Sequence, residues 1–172
     1  MRAVVVTVST RAAGGVYDDT AGPAVADVLA EAGFEVLDVV VVPDGRQQVA
    51  AAIVDAAGRA DLVVTNGGTG LHPNDHTPEA TLDVVDRLVP GVGEAMRAAS
   101  LHSTPMAMLS RGIAGVRGGT LVVNVPGSPG GAVDSVRAIT PVLSHAVEQL
   151  HGGDHVRSSA PAPGPSQPHG HG

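Results

Sequence analysis

The sequence contains no cysteine and no lysine. Without cysteine there is no disulfide, no thiolate zinc site and no thiol nucleophile. Without lysine there is no Schiff base, no lysine general base and no P-loop lysine. All ten basic residues are arginine. An anionic ligand must therefore be met by guanidinium groups, backbone N–H groups, helix N-termini or a metal ion. Aromatic residues are almost absent, Tyr17 and Phe34 alone, so a core has to be assembled from Val, Ala, Leu and Ile; hydrophobic residues at 43% suffice for one. No apolar run reaches the roughly 18–20 residues that a membrane span needs. The start, Met1-Arg2 followed by Ala3-Val4-Val5-Val6, reads as a first strand and not as a secretory leader. There is no basic surplus either: 17 acids against 10 bases leave a net charge of −7, which argues against nucleic acid as a partner. These absences together describe a cytoplasmic protein with neither nucleic acid nor membrane as its partner.

What is present alternates. Residues 2–9, 34–42, 61–65, 105–109 and 120–125 read as strands, short and rich in Val. Between them, residues 22–32, 46–59, 78–88, 91–101 and 131–150 read as helices, bounded by Gly and Pro. Residues 10–20 and 112–119 read as loops. The β-α-β-α order predicts a three-layer α/β/α domain over residues 1–151 with a mostly parallel sheet. Residues 152–172, dense in Pro, Gly, Ser and His, lack apolar periodicity and are expected to be a disordered tail. In parallel sheets ligands bind beyond the carboxyl ends of the strands. That directs attention to the loops after the strands.

Two of these loops share a grammar. After the 61–65 strand comes TNGGTGLHPNDHTPEAT, residues 65–81. Gly67, Gly68, Thr69 and Gly70 can bring backbone N–H groups up to a ligand, or can simply turn the chain. Thr77 is expected to cap a helix that starts at Pro78. After the 120–125 strand, Asn124-Val125 leads into Pro126-Gly127-Ser128-Pro129, where Ser128 can cap the last helix. Two such loops could hold two phosphate groups or the two ends of one ligand. Asp44 and Asp75, each in a loop after a strand, are turn formers by habit. On neighbouring loops they could instead share a Mg²⁺ ion, which uses one or two carboxylates plus substrate phosphates. His72 and His76 flank Asp75 and raise the competing idea of zinc, which requires a convergent third ligand. Asp18 and Asp19 read as solvated or capping. Ser110-Arg111 and Arg117 are the nearest sources of positive charge.

Taken together, these stretches resemble a known family. Residues 65–81 match the signature T-x-G-G-T-G-x-x-x-x-D-x-T-P-E-x-T of the MoaB/Mog family of molybdenum-cofactor biosynthesis. LSRGIAGVRGGTLVVNVPGSPGG (109–131) resembles its second signature, and VSTRAAGGVYDDTAGP (8–23) its first loop. The resemblance spans about residues 2–151 and is nearest to the Mog branch, the molybdopterin adenylyltransferases. It implies a three-layer α/β fold, a homotrimer, and Mg²⁺-dependent adenylyl transfer from ATP to molybdopterin with release of diphosphate. A molybdenum-insertion protein is an implied partner. By position, Asp44 and Asp75 match the functional acids and tentative Mg²⁺ ligands. Gly67, Gly68, Thr69 and Gly70 match one substrate loop, and Pro126, Gly127, Ser128 and Pro129 the other. Thr77, Ser110, Arg111 and Asn124 complete the expected substrate-binding set. Where the family often has Lys after the Ser-Pro pair, this chain has Gly130, so Arg111 or backbone groups would take that role. Three alternatives stand beside this reading: a non-catalytic molybdopterin-binding or scaffold protein of the same fold, a nucleotide-dependent oxidoreductase, and a purely structural oligomer.

Overall fold

The computed structural model describes residues 1–152; the expected tail lies, apart from Gly152, outside them. The chain runs β1 (Arg2–Val8), α1 (Thr10–Ala13), α2 (Ala21–Glu31), β2 (Glu35–Val42), α3 (Arg46–Ala57), β3 (Leu62–Asn66) and α4 (Thr77–Leu82). It continues through β4 (Arg87–Leu88), α5 (Pro90–Ser100), a 3₁₀ helix (Pro105–Leu109), β5 (Ala114–Arg117), β6 (Thr120–Val125) and α6 (Pro129–Leu150). The strands form one sheet in the order β2-β1-β3-β6-β5-β4. The first four are mutually parallel. β5 and β4 close the far edge antiparallel.

The valine runs explain why this sheet has a layer on each side. Successive side chains of a strand point to opposite faces. On one face Ala3, Val5, Leu62, Val64, Leu121 and Val123 pack with α2, α5 and α6. On the other, Val4, Val6, Val63 and Val122 meet Val49 and Ile53 of α3 and Ala80 of α4. Strands buried on both faces read as continuous apolar runs, and β1, β3 and β6 do. Each fully buried Val, Leu or Ile contributes about 1.5–3 kcal/mol relative to exposure, which makes up for the scarcity of aromatic rings.

Register then aligns the strand ends. Thr7 pairs with Asn66, and Asn66 with Val125. Ser9 N donates to Val42 O (2.9 Å) and Gly67 N to Val125 O (3.2 Å). The loops after β1, β2, β3 and β6 therefore emerge along one edge. The sheet order reverses between β1 and β3, the point at which parallel sheets open a crevice.

Three expectations need correction. The helix expected over 78–88 stops at Leu82. Val84 and Val85 are β-branched, and beyond them Asp86 N donates to Val116 O and Val89 N to Ala114 O, which draws Arg87–Leu88 into the sheet edge. Residues 105–109 are not a strand but a 3₁₀ helix, started by Thr104, whose hydroxyl accepts from Met106 N (3.2 Å). The place beside β6 is taken by β5, from the stretch 112–119 expected as a loop. Gly118, at φ +54°, and Gly119 form the two-residue turn of that hairpin. Within 10–20 the chain also makes the short helix α1, capped by Ser9, whose Oγ accepts from Ala12 N.

Candidate functional site

Along the aligned strand ends lie two cavities. The larger, about 530 Å³, is walled by Gly68, Thr69, Gly70, Asp75 and Ser110, by Met106 and Leu109 of the 3₁₀ segment, and by Pro126, Gly127 and Ser128. It is mostly apolar. The smaller, about 330 Å³, is walled by Thr7, Ser9, Tyr17, Asp19, Asp44, Asn66, Gly67 and Pro129. Gly68 and Gly127 border both, so the two cavities adjoin at a glycine neck.

The neck exists because it lacks side chains. Gly67 has φ +103° and Gly68 φ +62°, conformations that favour glycine. A Cβ on Gly67 would overlap Val8 O, one on Gly68 would overlap Thr77 Oγ1, and one on Gly127 would stand 3.1 Å from Gly67 Cα. The backbones of two loops thus touch where the cavities meet. The N–H groups of Gly68, Thr69, Gly127 and Ser128 donate to no acceptor among the described residues. Amides free at a cavity wall are an anion-binding surface.

The acids sit one in each cavity. Asp75 Oδ2 accepts from Gly70 N (3.0 Å) and His72 N (3.3 Å), closing its own loop. Asp44 Oδ2 accepts from Thr10 N (2.8 Å), while Asp44 N donates to Thr10 Oγ1 (3.0 Å). Each carboxylate is oriented through one oxygen, and its second oxygen accepts nothing among the described residues. They do not line a common cavity. His72 Nδ1 accepts from Asn74 N. Among the described residues no three His, Cys, Asp or Glu side chains converge on a metal position, so the zinc idea finds no third ligand there.

Other expected site residues are spent inside the protein. Thr77 is fully buried and is the first residue of α4, with His76 in the capping position. Its hydroxyl donates to Gly67 O (2.8 Å) and its N–H to Gly68 O (3.0 Å), so it supports the neck from beneath. Asn124 is also buried; Nδ2 donates to Thr65 Oγ1 (3.0 Å) and Thr81 Oγ1 (2.8 Å), tying α4 to the sheet. Arg111 borders neither cavity. Its Nε donates to Gly70 O (2.7 Å), Nη2 to Asp75 O (2.6 Å) and Nη1 to Glu79 Oε1. Glu79 answers it: the Arg111 hydrogen bond holds the Glu79 carboxyl below the usual range, against the opposing pull of burial. Arg117 turns away to Val84 O. Gly130 is exposed with open space around it. Ser128 stands before α6 with its hydroxyl making no cap bond.

Residues outside the expected binding set also line the site, among them Asp19, which bears out its reading as a capping residue. Asp19 caps α2 by accepting from Ala21 N and Gly22 N, and Thr7 Oγ1 donates to its other oxygen (2.6 Å). Ser9 Oγ lies 2.8 Å from Tyr17 OH at the rim of the smaller cavity. The register of β1 against β3 places Thr7 there, information that the linear sequence does not carry. Met106 and Leu109 wall the larger cavity because 105–109 is a surface 3₁₀ helix and not a buried strand.

The comparisons with known proteins agree with this architecture. Residues 4–145 match the family described as "Probable molybdopterin binding domain". The chain is 38% identical over 152 residues to a molybdopterin adenylyltransferase of Helicobacter pylori, covering 86% of each. Among solved structures it is similar to the molybdopterin biosynthesis enzyme MoaB of Thermus thermophilus, with TM-score 0.83 and 48% identity over 88% of this chain and 96% of that one. It is likewise similar to the molybdopterin biosynthesis Mog protein of Mycobacterium ulcerans, with TM-score 0.81 and 46% identity over 87% of this chain and 98% of that one.

Proposed function

The chain belongs to the "Probable molybdopterin binding domain" family, and from that premise we propose that it adenylylates molybdopterin. The reaction is ATP + molybdopterin → adenylylated molybdopterin + diphosphate, the activity that its curated relatives are named for. The observation that carries this reading is the pair of cavities joined at the glycine neck, one mostly apolar with Asp75 oriented in its wall, the other of mixed lining with Asp44 and Asp19 oriented in its wall. Two substrates that must exchange a phosphoryl centre need two compartments that meet. Free amides at the meeting point suit a transfer in which charge builds on phosphate oxygens.

In chemical terms, an oxygen of the terminal phosphate of molybdopterin attacks the α-phosphorus of ATP. The bond from that phosphorus to the bridging oxygen breaks, and diphosphate leaves with its electron pair. The nucleophile is anionic at neutral pH, so no strong base is required. A chain without Lys, Cys or a nucleophile–base pair is adequate to it; what the protein supplies is position and electrostatics. Gly67, Gly68, Thr69 and Gly70 form one wall of the transfer point and Pro126, Gly127, Ser128 and Pro129 the other. Ser110 borders the larger cavity beside them.

The donor set fits Mg²⁺ in the mode that relies on substrate phosphates: hard carboxylate oxygens, one free on Asp44 and one free on Asp75, and no protein cage. When bound, Mg²⁺ would offset charge on the diphosphate. Because the acids line different cavities, they would not share one ion; each would hold its own against phosphates on its own side. The assembly proposed is a homotrimer, for which light scattering should return three times the chain mass of 17.1 kDa.

The deciding assay is diphosphate release from ATP, molybdopterin and Mg²⁺. Asp75→Asn keeps an acceptor for the Gly70 and His72 amides and removes the charge. It should melt like the wild type and lose on the order of 100-fold in turnover. Near wild-type turnover would remove Asp75 from the mechanism. Similarity to a protein titled MoaB supports a second reading, a molybdopterin-binding protein without catalysis. Molybdopterin binding by calorimetry with no diphosphate release would select it.

A further inference from the structure

We infer that Arg111 and Glu79 are positioning residues: their ion pair fixes the arc from residue 67 to residue 75, and neither touches a ligand. Nothing about adenylyl transfer requires this; the geometry of the arc does. The Arg111 guanidinium forms a chord across it, donating to Gly70 O at one end and to Asp75 O at the other. The Arg111 backbone N–H adds a third tie, to Thr69 O (2.8 Å). Asp75, held at its carbonyl, closes the arc from within by accepting from Gly70 N and His72 N. Glu79 fixes the direction of the guanidinium by pairing with Nη1.

Two further observations support a positioning role. Glu79 Oε2 is buried with no hydrogen-bond partner among the described residues. A buried acceptor left without a partner works against stability, so the carboxylate is better accounted for by the direction it gives the guanidinium. The support also continues behind Arg111. Arg97 of α5 donates from Nη1 to Gly112 O (2.8 Å), holding the 110–112 segment in turn. A line of contacts therefore runs from α5 through the 110–112 segment to the wall that carries Asp75.

The two possible roles of Arg111 predict opposite signs for one substitution. If the guanidinium is an anion contact that Glu79 holds back, Glu79→Gln frees it and tightens ATP or molybdopterin. If the pair is a brace, Glu79→Gln loosens the arc and slows the reaction.

The experiment uses the full chain with Glu79→Gln, Arg111→Met and Arg111→Lys. Hydrogen exchange of residues 67–77 is read on the protein alone. Diphosphate release is read with each substrate varied; that arm rests on the adenylyl-transfer reading. The brace predicts at least about tenfold faster exchange at the Gly70 and His72 amides in Glu79→Gln and Arg111→Met. It also predicts about 100-fold lower kcat in both, with KM for each substrate within about threefold, the cost expected of a misplaced catalytic wall. Arg111→Lys keeps the charge but not the fork, and should recover about tenfold of the loss at most. Unchanged exchange in Glu79→Gln and Arg111→Met would overturn the brace. So would faster exchange with kcat intact, or a lowered KM in Glu79→Gln paired with a raised KM in Arg111→Met. If the wild type releases no diphosphate, the adenylyl-transfer reading fails while the exchange arm still decides the brace.

Discussion

The segments 66–78 and 125–129 each lead from a buried strand through glycine to a hydroxyl residue followed by proline. In the first, Thr77 is fully buried and its hydroxyl holds Gly67 O, while Arg111 and Glu79 clamp the arc from the side. In the second, Ser128 is exposed, its hydroxyl caps nothing, and Gly130 faces open space. One loop is a braced floor, the other an open rim, although the two are spelled alike. The difference arises from what lies beside each. The buried part of the first, Gly67, Thr69 and Thr77, is packed between β1, α4 and the 110–112 segment, while residues 71–74 are exposed. The second meets the first through Val125, whose carbonyl accepts from Gly67 N, and through Gly127 against Gly67 Cα; Pro126, Gly127, Ser128 and Pro129 border the cavities.

The sharpest break of this comparison is a methyl group. Gly67→Ala combines a positive φ with an overlap on Val8 O and should cost about 3 kcal/mol or more. Gly130→Ala has room and a helical position and should lie within about 0.5 kcal/mol of wild type. Urea unfolding measures both; equal midpoints would mean that the floor is not packed as described. Next in size is Thr77→Val, which keeps the shape and strands Gly67 O without its donor. A loss of about 1–3 kcal/mol is expected. Ser128→Ala, at the matching position of the rim, should change stability by less than about 0.5 kcal/mol. A cost for Ser128→Ala equal to that of Thr77→Val would show that both loops are braced.

The smallest effect is in pH. The Glu79 carboxyl is held below its ordinary range by Arg111. A group depressed in the folded state stabilises above its unfolded value and loses that contribution as pH falls through the folded one. Wild-type melting temperatures should therefore fall on acidification below the ordinary glutamate range. The Glu79→Gln variant should show a shallower fall. With the pair one-third exposed, the effect is modest. Identical acid limbs would place Glu79 outside the titration.

Much of the architecture was legible in the residues. The runs at Val4-Val5-Val6, Leu62-Val63-Val64 and Leu121-Val122-Val123 announce strands covered on both faces, and the glycine and proline breaks mark most helix ends. The antiparallel edge was not. Gly118-Gly119 between Arg117 and Thr120 is a hairpin signal, obscured by the glycines at 112 and 115. Residues 105–109 have strand-like composition, yet a strand needs a free neighbour, and β5 occupies the place beside β6. In the candidate site, the glycines and the two acids were visible as types in loops after strands. The direction of a side chain was not visible. Arg111, Thr77 and Asn124 read as ligand contacts from the sequence; in the structure each hydrogen-bonds to other residues of the protein, Thr77 and Asn124 buried and Arg111 one-third exposed.

The sequence by itself determined that this is an α/β domain with a mostly parallel sheet whose glycine loops share one edge. The continuous apolar runs and the β-α alternation leave little other choice, and a chain without lysine or cysteine has few chemistries open to it. Only the tertiary structure decided which polar groups remain for a ligand. That depends on which carbonyls and carboxylates register and packing bring within hydrogen-bond reach of each donor. Arg111 meets Gly70, Asp75 and Glu79 there, more than thirty positions away in sequence; the amides of Gly68, Thr69, Gly127 and Ser128 meet no acceptor among the described residues and belong to residues that border the cavities.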